Sequence, residues 1–131
     1  MNEHSLRPSA NPVDILLIDD DELFGLSLLD RLKNERWKVA FHQGPFGTVN
    51  AIRAAQPRLL ILDLNMPGLE GTRIHELLRK RNDLNRIKVL LLSSTEAGEL
   101  ARIANENGFD GAVHKSASRA ELIKAIDGLI G

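Results

Sequence analysis

Apolar residues in this chain fall in short dense runs, separated by longer stretches in which they recur every three or four positions. Four runs read as buried strands: Asp14–Ile18, Leu59–Leu62, Lys88–Leu92 and Phe109–His114. The middle two are too continuous for a strand with one wet face. They suit a parallel sheet covered on both sides. Trp37–His42 is a weaker fifth strand, followed by the loop signals Gly44, Pro45 and Gly47.

The intervening stretches carry helical stripes. Phe24, Leu28, Leu29 and Leu32 make the first, and Ile52 with Ala55 a short second that stops at Pro57. Ile74, Leu77 and Leu78 make the third, with Arg79, Lys80 and Arg81 at its carboxyl end, where cations favour the helix dipole. Leu100, Ile103 and Ala104 form the fourth, which ends near Gly108. Ser118 and Glu121 form a capping box for the fifth, continued by Leu122, Ile123, Ile126, Leu129 and Ile130. Strand and helix therefore alternate five times, which predicts an α/β fold, a doubly wound (βα)5 parallel sheet with helices on both faces.

Composition narrows the chemistry. A chain of 131 residues suits one domain and can bury a core without disulfides. No cysteine is present, which excludes disulfides, thiolate metal sites and cysteine nucleophiles and fits a cytoplasmic protein. A net charge of -1, from 17 basic and 18 acidic residues, gives no global attraction for nucleic acid or an anionic membrane. No apolar run is long enough to span a bilayer. Residues 1–12 are polar, with Pro8, Asn11 and Pro12, and read as a flexible arm rather than a secretory signal.

Open parallel sheets place their sites at the carboxyl ends of the strands, beside the point where strand order reverses. Every dense run here ends in polar residues: Asp19, Asp20 and Asp21 after the first, Asp63 and Asn65 after the third, Ser93, Ser94 and Thr95 after the fourth, and Lys115 after the fifth. Carboxylates gathered at one point resist ionising unless a cation joins them, so Asp19, Asp20 and Asp63 would suit Mg2+. A carboxylate can also attack phosphorus, with a lysine and a hydroxyl to meet the phosphoryl oxygens.

These segments carry a resemblance. Ile-Leu-Leu-Ile-Asp19-Asp20-Asp21, Leu-Ile-Leu-Asp63-Leu-Asn-Met-Pro67-Gly-Leu-Glu-Gly71, Val-Leu-Leu-Leu-Ser93-Ser94 and Gly111-Ala-Val-His-Lys115 resemble the four motifs of response regulator receiver domains, in family order and spacing. The likeness runs from about Val13 to Gly131, so residues 13–131 are expected to be the receiver domain. It implies a flavodoxin-like sheet of order 2-1-3-4-5. It also implies Asp63 as phosphoacceptor and Asp19, Asp20, Asp63 and the Asn65 carbonyl as the Mg2+ site. Ser93 would be the switch hydroxyl and Lys115 the phosphoryl contact. Implied partners are a histidine kinase or histidine phosphotransfer protein as donor, and a downstream protein, an effector domain or a second copy as target. The face of helix four, strand five and helix five would switch, with Glu99, Arg102 and Asn105 exposed upon it.

Two positions depart from familiar receivers. Ser116 stands where many carry a cis proline, so a trans bond is expected after Lys115. Ala112 stands where strand five often carries an aromatic that moves with the switch hydroxyl. The Lys115-Ser-Ala-Ser118 stretch is similar to receivers of LuxR-type regulators, which usually continue into a helix-turn-helix; a stand-alone receiver and a piece of a longer regulator both fit.

Plainer readings apply to other residues. Asp21 reads as a helix amino-terminal acid and Thr95 as the cap of helix four. His4, His42, His75 and His114 lack metal-ligand spacing and read as structural or exposed. Trp37 reads as packing, and Arg79-Lys80-Arg81 with Asn82 and Asp83 as a solvated helix end. A second functional class, an aspartyl-phosphate phosphatase resembling the haloacid dehalogenases, would need an acid where Asn65 stands.

Overall fold

The computed structural model describes residues 12–67, 69–81 and 84–131. The element order is β1 (Ile15–Asp19), α1 (Glu22–Arg31), β2 (Val39–Gln43), α2 (Thr48–Ala55), β3 (Leu59–Asp63), β4 (Asn65–Met66), β5 (Leu69–Glu70), α3 (Gly71–Lys80), β6 (Lys88–Ser93), α4 (Ala97–Asn107), β7 (Gly111–His114) and α5 (Arg119–Ile130). Five strands form one sheet, β2-β1-β3-β6-β7, with every neighbouring pair parallel. Counted within that sheet alone, the order is the expected 2-1-3-4-5.

β4 and β5 were not expected. They form a two-residue antiparallel ladder pairing Asn65 with Glu70 and Met66 with Leu69. Strands this short carry no periodicity for a sequence reading to detect.

The central strands bury both of their faces, and alternate residues feed two separate cores. Leu16, Ile18, Leu60, Leu62, Val89 and Leu91 pack with Ile52 of α2, Ile74 and Leu78 of α3, and Leu100 of α4. Ile15, Leu17, Leu59, Ile61, Leu90 and Leu92 pack with Leu28 of α1 and with Leu122 and Ile126 of α5. Full burial of each such side chain contributes roughly 1.5–3 kcal/mol, so the sheet is clamped from both sides. A one-residue slip of any central strand would exchange its two faces and misfit both cores.

Helix ends follow local chemistry. Asp21 caps α1, its side chain accepting the Phe24 N–H at 3.1 Å. Ser118 and Glu121 form the expected capping box on α5. α4 ends at Gly108, whose φ of 74° is left-handed and cheap for glycine. Three expectations need correction. The strand expected at Trp37–His42 runs over Val39–Gln43 instead. Glu96, not Thr95, caps α4, accepting from the Gly98 and Glu99 N–H groups, because the Thr95 hydroxyl is engaged with Ser93. The fifth sheet strand starts at Gly111 rather than Phe109; the Phe109 N–H bonds the Ala104 carbonyl, and its ring packs against His75.

α1 lies close on β2, since a Cβ built on Gly25 would come within 2.1 Å of the Phe41 ring. Trp37 is buried as expected, with the Arg36 guanidinium 4.6 Å above its ring. Among the described residues no helix is long and apolar enough to cross a membrane. Residues 1–11, which hold His4 and all but Pro12 of the stretch 1–12 expected to be an arm, lie outside the described residues, as do Gly68, Asn82 and Asp83.

Candidate functional site

β1, β3, β6 and β7 all deliver polar residues to the carboxyl edge of the sheet. Asp19 and Asp63 are the last residues of β1 and β3, and each is only 3% exposed. Ser93 ends β6 with no exposure at all, and Lys115 follows β7 directly. Backbone bonds fix these exits. The Lys115 N–H donates to the Ser93 carbonyl at 2.8 Å, and the Leu64 N–H to the Leu92 carbonyl at 3.0 Å.

Asp19 and Asp63 each turn the chain that follows them. Asp19 Oδ1 accepts the Asp21 N–H at 2.9 Å, and Asp63 Oδ1 accepts the Asn65 N–H at 3.2 Å. Lys115 Nζ lies 2.8 Å from Asp19 Oδ2 and 3.6 Å from Asp63 Oδ1. One oxygen from each of Asp19, Asp20 and Asp63 lies within 4.8 Å of the others. The structure thus brings together Asp19, Asp20, Asp63 and Lys115. Ser93 sits beside them, but its hydroxyl donates to Thr95 Oγ1 at 2.8 Å and accepts the Thr95 N–H at 3.0 Å. Asn65 reaches toward it, with Nδ2 3.5 Å from Ser93 Oγ.

Phe24 was read as packing alone. Its ring lies 4.6 Å beneath Lys115 Nζ, a cation–π contact that helps hold the ammonium over the acidic group. One cue was available: Phe24 lies one turn into the helix that leaves the first acidic strand end.

The electrostatics follow from burial. Desolvation, then the neighbouring Asp19 charge, push Asp63 up to about 7, against the opposing pull of Lys115 and the Asn65 N–H. Burial works against the charge on Lys115, but its bond to Asp19 and the nearby carboxylates outweigh this and hold it above its ordinary value.

These residues fit a divalent cation. Asp19 Oδ2 is buried against Lys115 Nζ at 2.8 Å, and a carboxylate oxygen so placed keeps a second lone pair for a cation. Three carboxylates against one ammonium leave two negative charges uncompensated when all are ionised, the charge a divalent ion neutralises. The donors are all hard oxygens, the set Mg2+ prefers.

A doubly wound α/β sheet with an acidic pocket at its switch point is the class that fold and site define. The chain belongs to the response regulator receiver family of two-component systems: the family model described as the response regulator receiver domain matches residues 15–127. Its relatives include the nitrate/nitrite response regulator protein NarL of Escherichia coli K12, 29% identical over 120 residues, covering 90% of this chain and 55% of that protein. The transcriptional regulatory protein MctR of Rhizobium johnstonii is 31% identical over 125 residues, with 91% and 56% covered. The first curated relatives run from about twice the length of this chain to considerably more, and the chain spans 52% of the probable transcriptional regulatory protein TcrX of Mycobacterium tuberculosis. Among solved structures, the signal receiver domain of a response regulator from Bermanella marisrubri superposes with a TM-score of 0.79 at 27% identity, covering 90% of this chain and 98% of that one. The chemotaxis protein CheY4 of Vibrio cholerae gives 0.80 at 18% identity, with 91% and 99% covered, and shows the shared fold.

Proposed function

We propose that Asp63 accepts a phosphoryl group from a histidine kinase or phosphotransfer protein, with Mg2+ held by Asp19, Asp20, Asp63 and the Asn65 carbonyl, and that this switches a protein-binding face. The observation that carries the reading is the cluster of Asp19, Asp20 and Asp63 at the switch point of the sheet, with Asp19 and Asp63 buried against the Lys115 ammonium.

The chemistry assigned to the chain's own residues is specific. An Asp63 carboxylate oxygen attacks phosphorus, and the new O–P bond forms as the P–N bond to the donor imidazole breaks. The leaving imidazole keeps the electron pair. Asp63 must be ionised to attack, and its pKa near 7 makes that incomplete around neutral pH in the absence of a cation. Bound Mg2+ would favour the carboxylate and neutralise the transferring oxygens. Lys115, 3.6 Å from Asp63, would meet a phosphoryl oxygen as a charged donor. Ser93 can offer a further hydrogen bond once its hydroxyl leaves Thr95.

The responding surface is the face of α4, β7 and α5. A groove of about 800 Å³ runs along it, lined by Ala112, His114, Ser116, Glu121, Lys124 and Leu129 among others. Glu99, Arg102 and Asn105 are exposed on α4, and Arg102 is ion-paired to both Glu99 and Glu106. A downstream protein, an effector domain or a second copy of the chain would occupy this face, and the action would be cytoplasmic.

The test is intact-mass measurement after incubation with Mg2+ and acetyl phosphate. Wild-type protein should gain one phosphoryl group, and Asp63→Asn or omission of Mg2+ should prevent it. Wild-type protein that stays unmodified with acetyl phosphate, phosphoramidate and candidate kinases would overturn the reading.

A further inference from the structure

We propose that His114 is a positioning residue, a latch on the β6–α4 turn that holds the Ser93 hydroxyl away from Asp63 in the resting protein. The inference rests on the phosphoryl-accepting role assigned to Asp63 and adds a restraint on that same site.

His114 pairs with Ser93 across the β6–β7 ladder, so its ring projects beside the turn that carries the switch hydroxyl. The imidazole has a defined tautomer. The Ser116 N–H donates to His114 Nδ1 at 3.0 Å, and the Ser116 hydroxyl lies 2.8 Å from the same nitrogen. Nδ1 is therefore the acceptor, so Nε2 carries the proton and donates to the Ser94 carbonyl at 3.1 Å. Residue 116 can give this bond because it is serine; a proline would have no N–H. The Lys115–Ser116 bond is trans, since Gly44–Pro45 is the cis bond among the described residues.

The two carbonyls beside the switch hydroxyl are thus both pinned from the β7 side. The Ser93 carbonyl is held by the Lys115 N–H at 2.8 Å, and the Ser94 carbonyl by the His114 ring. Within that frame Ser93 Oγ faces Thr95. Carrying it toward Asp63 displaces the Ser94 carbonyl and breaks the His114 bond. On strand β7, Ala112 lies on the same face as His114, two residues earlier, and its small side chain leaves room for the released ring. The latch opposes the phosphorylated arrangement by about the net worth of one hydrogen bond, which corresponds to a roughly two- to tenfold bias.

Beryllofluoride, a phosphoryl mimic, titrated calorimetrically in saturating Mg2+ reads this bias. His114→Ala should bind it about two- to tenfold more tightly than wild type. His114→Gln, whose amide keeps a donor near the Nε2 position, should return toward the wild-type affinity. In a Ser93→Ala background the His114→Ala gain should vanish, because no hydroxyl remains to be released. Unchanged or weaker binding by His114→Ala, or an equal gain without Ser93, would overturn the latch while leaving Asp63 as acceptor. A wild-type protein that binds no beryllofluoride with Mg2+ would overturn the Asp63 reading, and the latch with it.

Discussion

The two ends of the sheet place charge in opposite ways on the same strands. At the amino edge, Asp14 and Arg58 precede β1 and β3, and Lys88 begins β6. There Asp14 Oδ2 accepts the Lys38 N–H at 2.8 Å, and Arg58 lies 3.5 Å from Asp14 Oδ1 while also donating to the Ile130 carbonyl. These groups are at least partly solvated, and opposite charges meet. At the carboxyl edge Asp19, Asp63 and Ser93 end those strands buried, Asp19 and Asp63 share one ammonium, and Asp20 adds a third carboxylate beside them. One edge uses charge to seal the fold. The other gathers like charges, and their repulsion is part of what raises Asp63 to about 7. Water decides the difference, because exposed pairs are screened while buried like charges are not.

That contrast predicts its largest effect in the response to Mg2+. At a concentration near 100 times Kd, binding should stabilise the wild-type protein by about 2.7 kcal/mol in chemical denaturation. Asp19→Asn should lose most of this gain, whereas Asp14→Asn at the other edge should keep it. Equal responses from the two variants would erase the distinction between the edges.

An intermediate effect concerns pH. Asp63 titrates at about 7 in the folded protein against 3.8 ordinarily, so between those values the folded state holds a proton that the unfolded state has lost. The stability from this group is full below about pH 4 and falls as pH rises through about 7. In EDTA, wild type should therefore lose stability from pH 5 to pH 8 relative to Asp63→Asn, which lacks the titrating group. Added Mg2+ should remove much of the deficit at pH 8, since deprotonated carboxylates bind the ion. Parallel pH profiles for the two proteins in EDTA would show that Asp63 is not under this strain.

The smallest effect is expected at the sealed edge. Arg58→Ala should cost no more than about 1 kcal/mol, as exposed ion pairs do, and leave acetyl phosphate labelling unaltered. A large loss of labelling would mean that the two edges communicate through β3.

The gathering of polar residues at the candidate site was more legible than the surroundings. Asp19, Asp20, Asp63, Ser93 and Lys115 could be picked out because each directly follows a dense apolar run, and a parallel sheet brings such exits to one edge. Features that depend on which way a side chain turns were not legible. Thr95 has the residue type of a helix cap, yet its hydroxyl goes to Ser93 and Glu96 caps α4 instead. Phe24 fits an apolar stripe, but α1 places it under a lysine 91 positions away. His114 read as incidental until the turn after β6 came within reach of its ring.

By itself the sequence determined the alternation of strands and helices, the two-faced burial of the central strands and the kinds of polar group at their ends. Those follow from periodicity and from residue chemistry, which are local. Tertiary structure alone decided the distances: Lys115 at 2.8 Å from Asp19, and oxygens of Asp19, Asp20 and Asp63 within 4.8 Å of one another. Residues so far apart in the chain meet only when both cores close on the sheet, and the strength of a charge interaction is set by that separation and by the water it excludes.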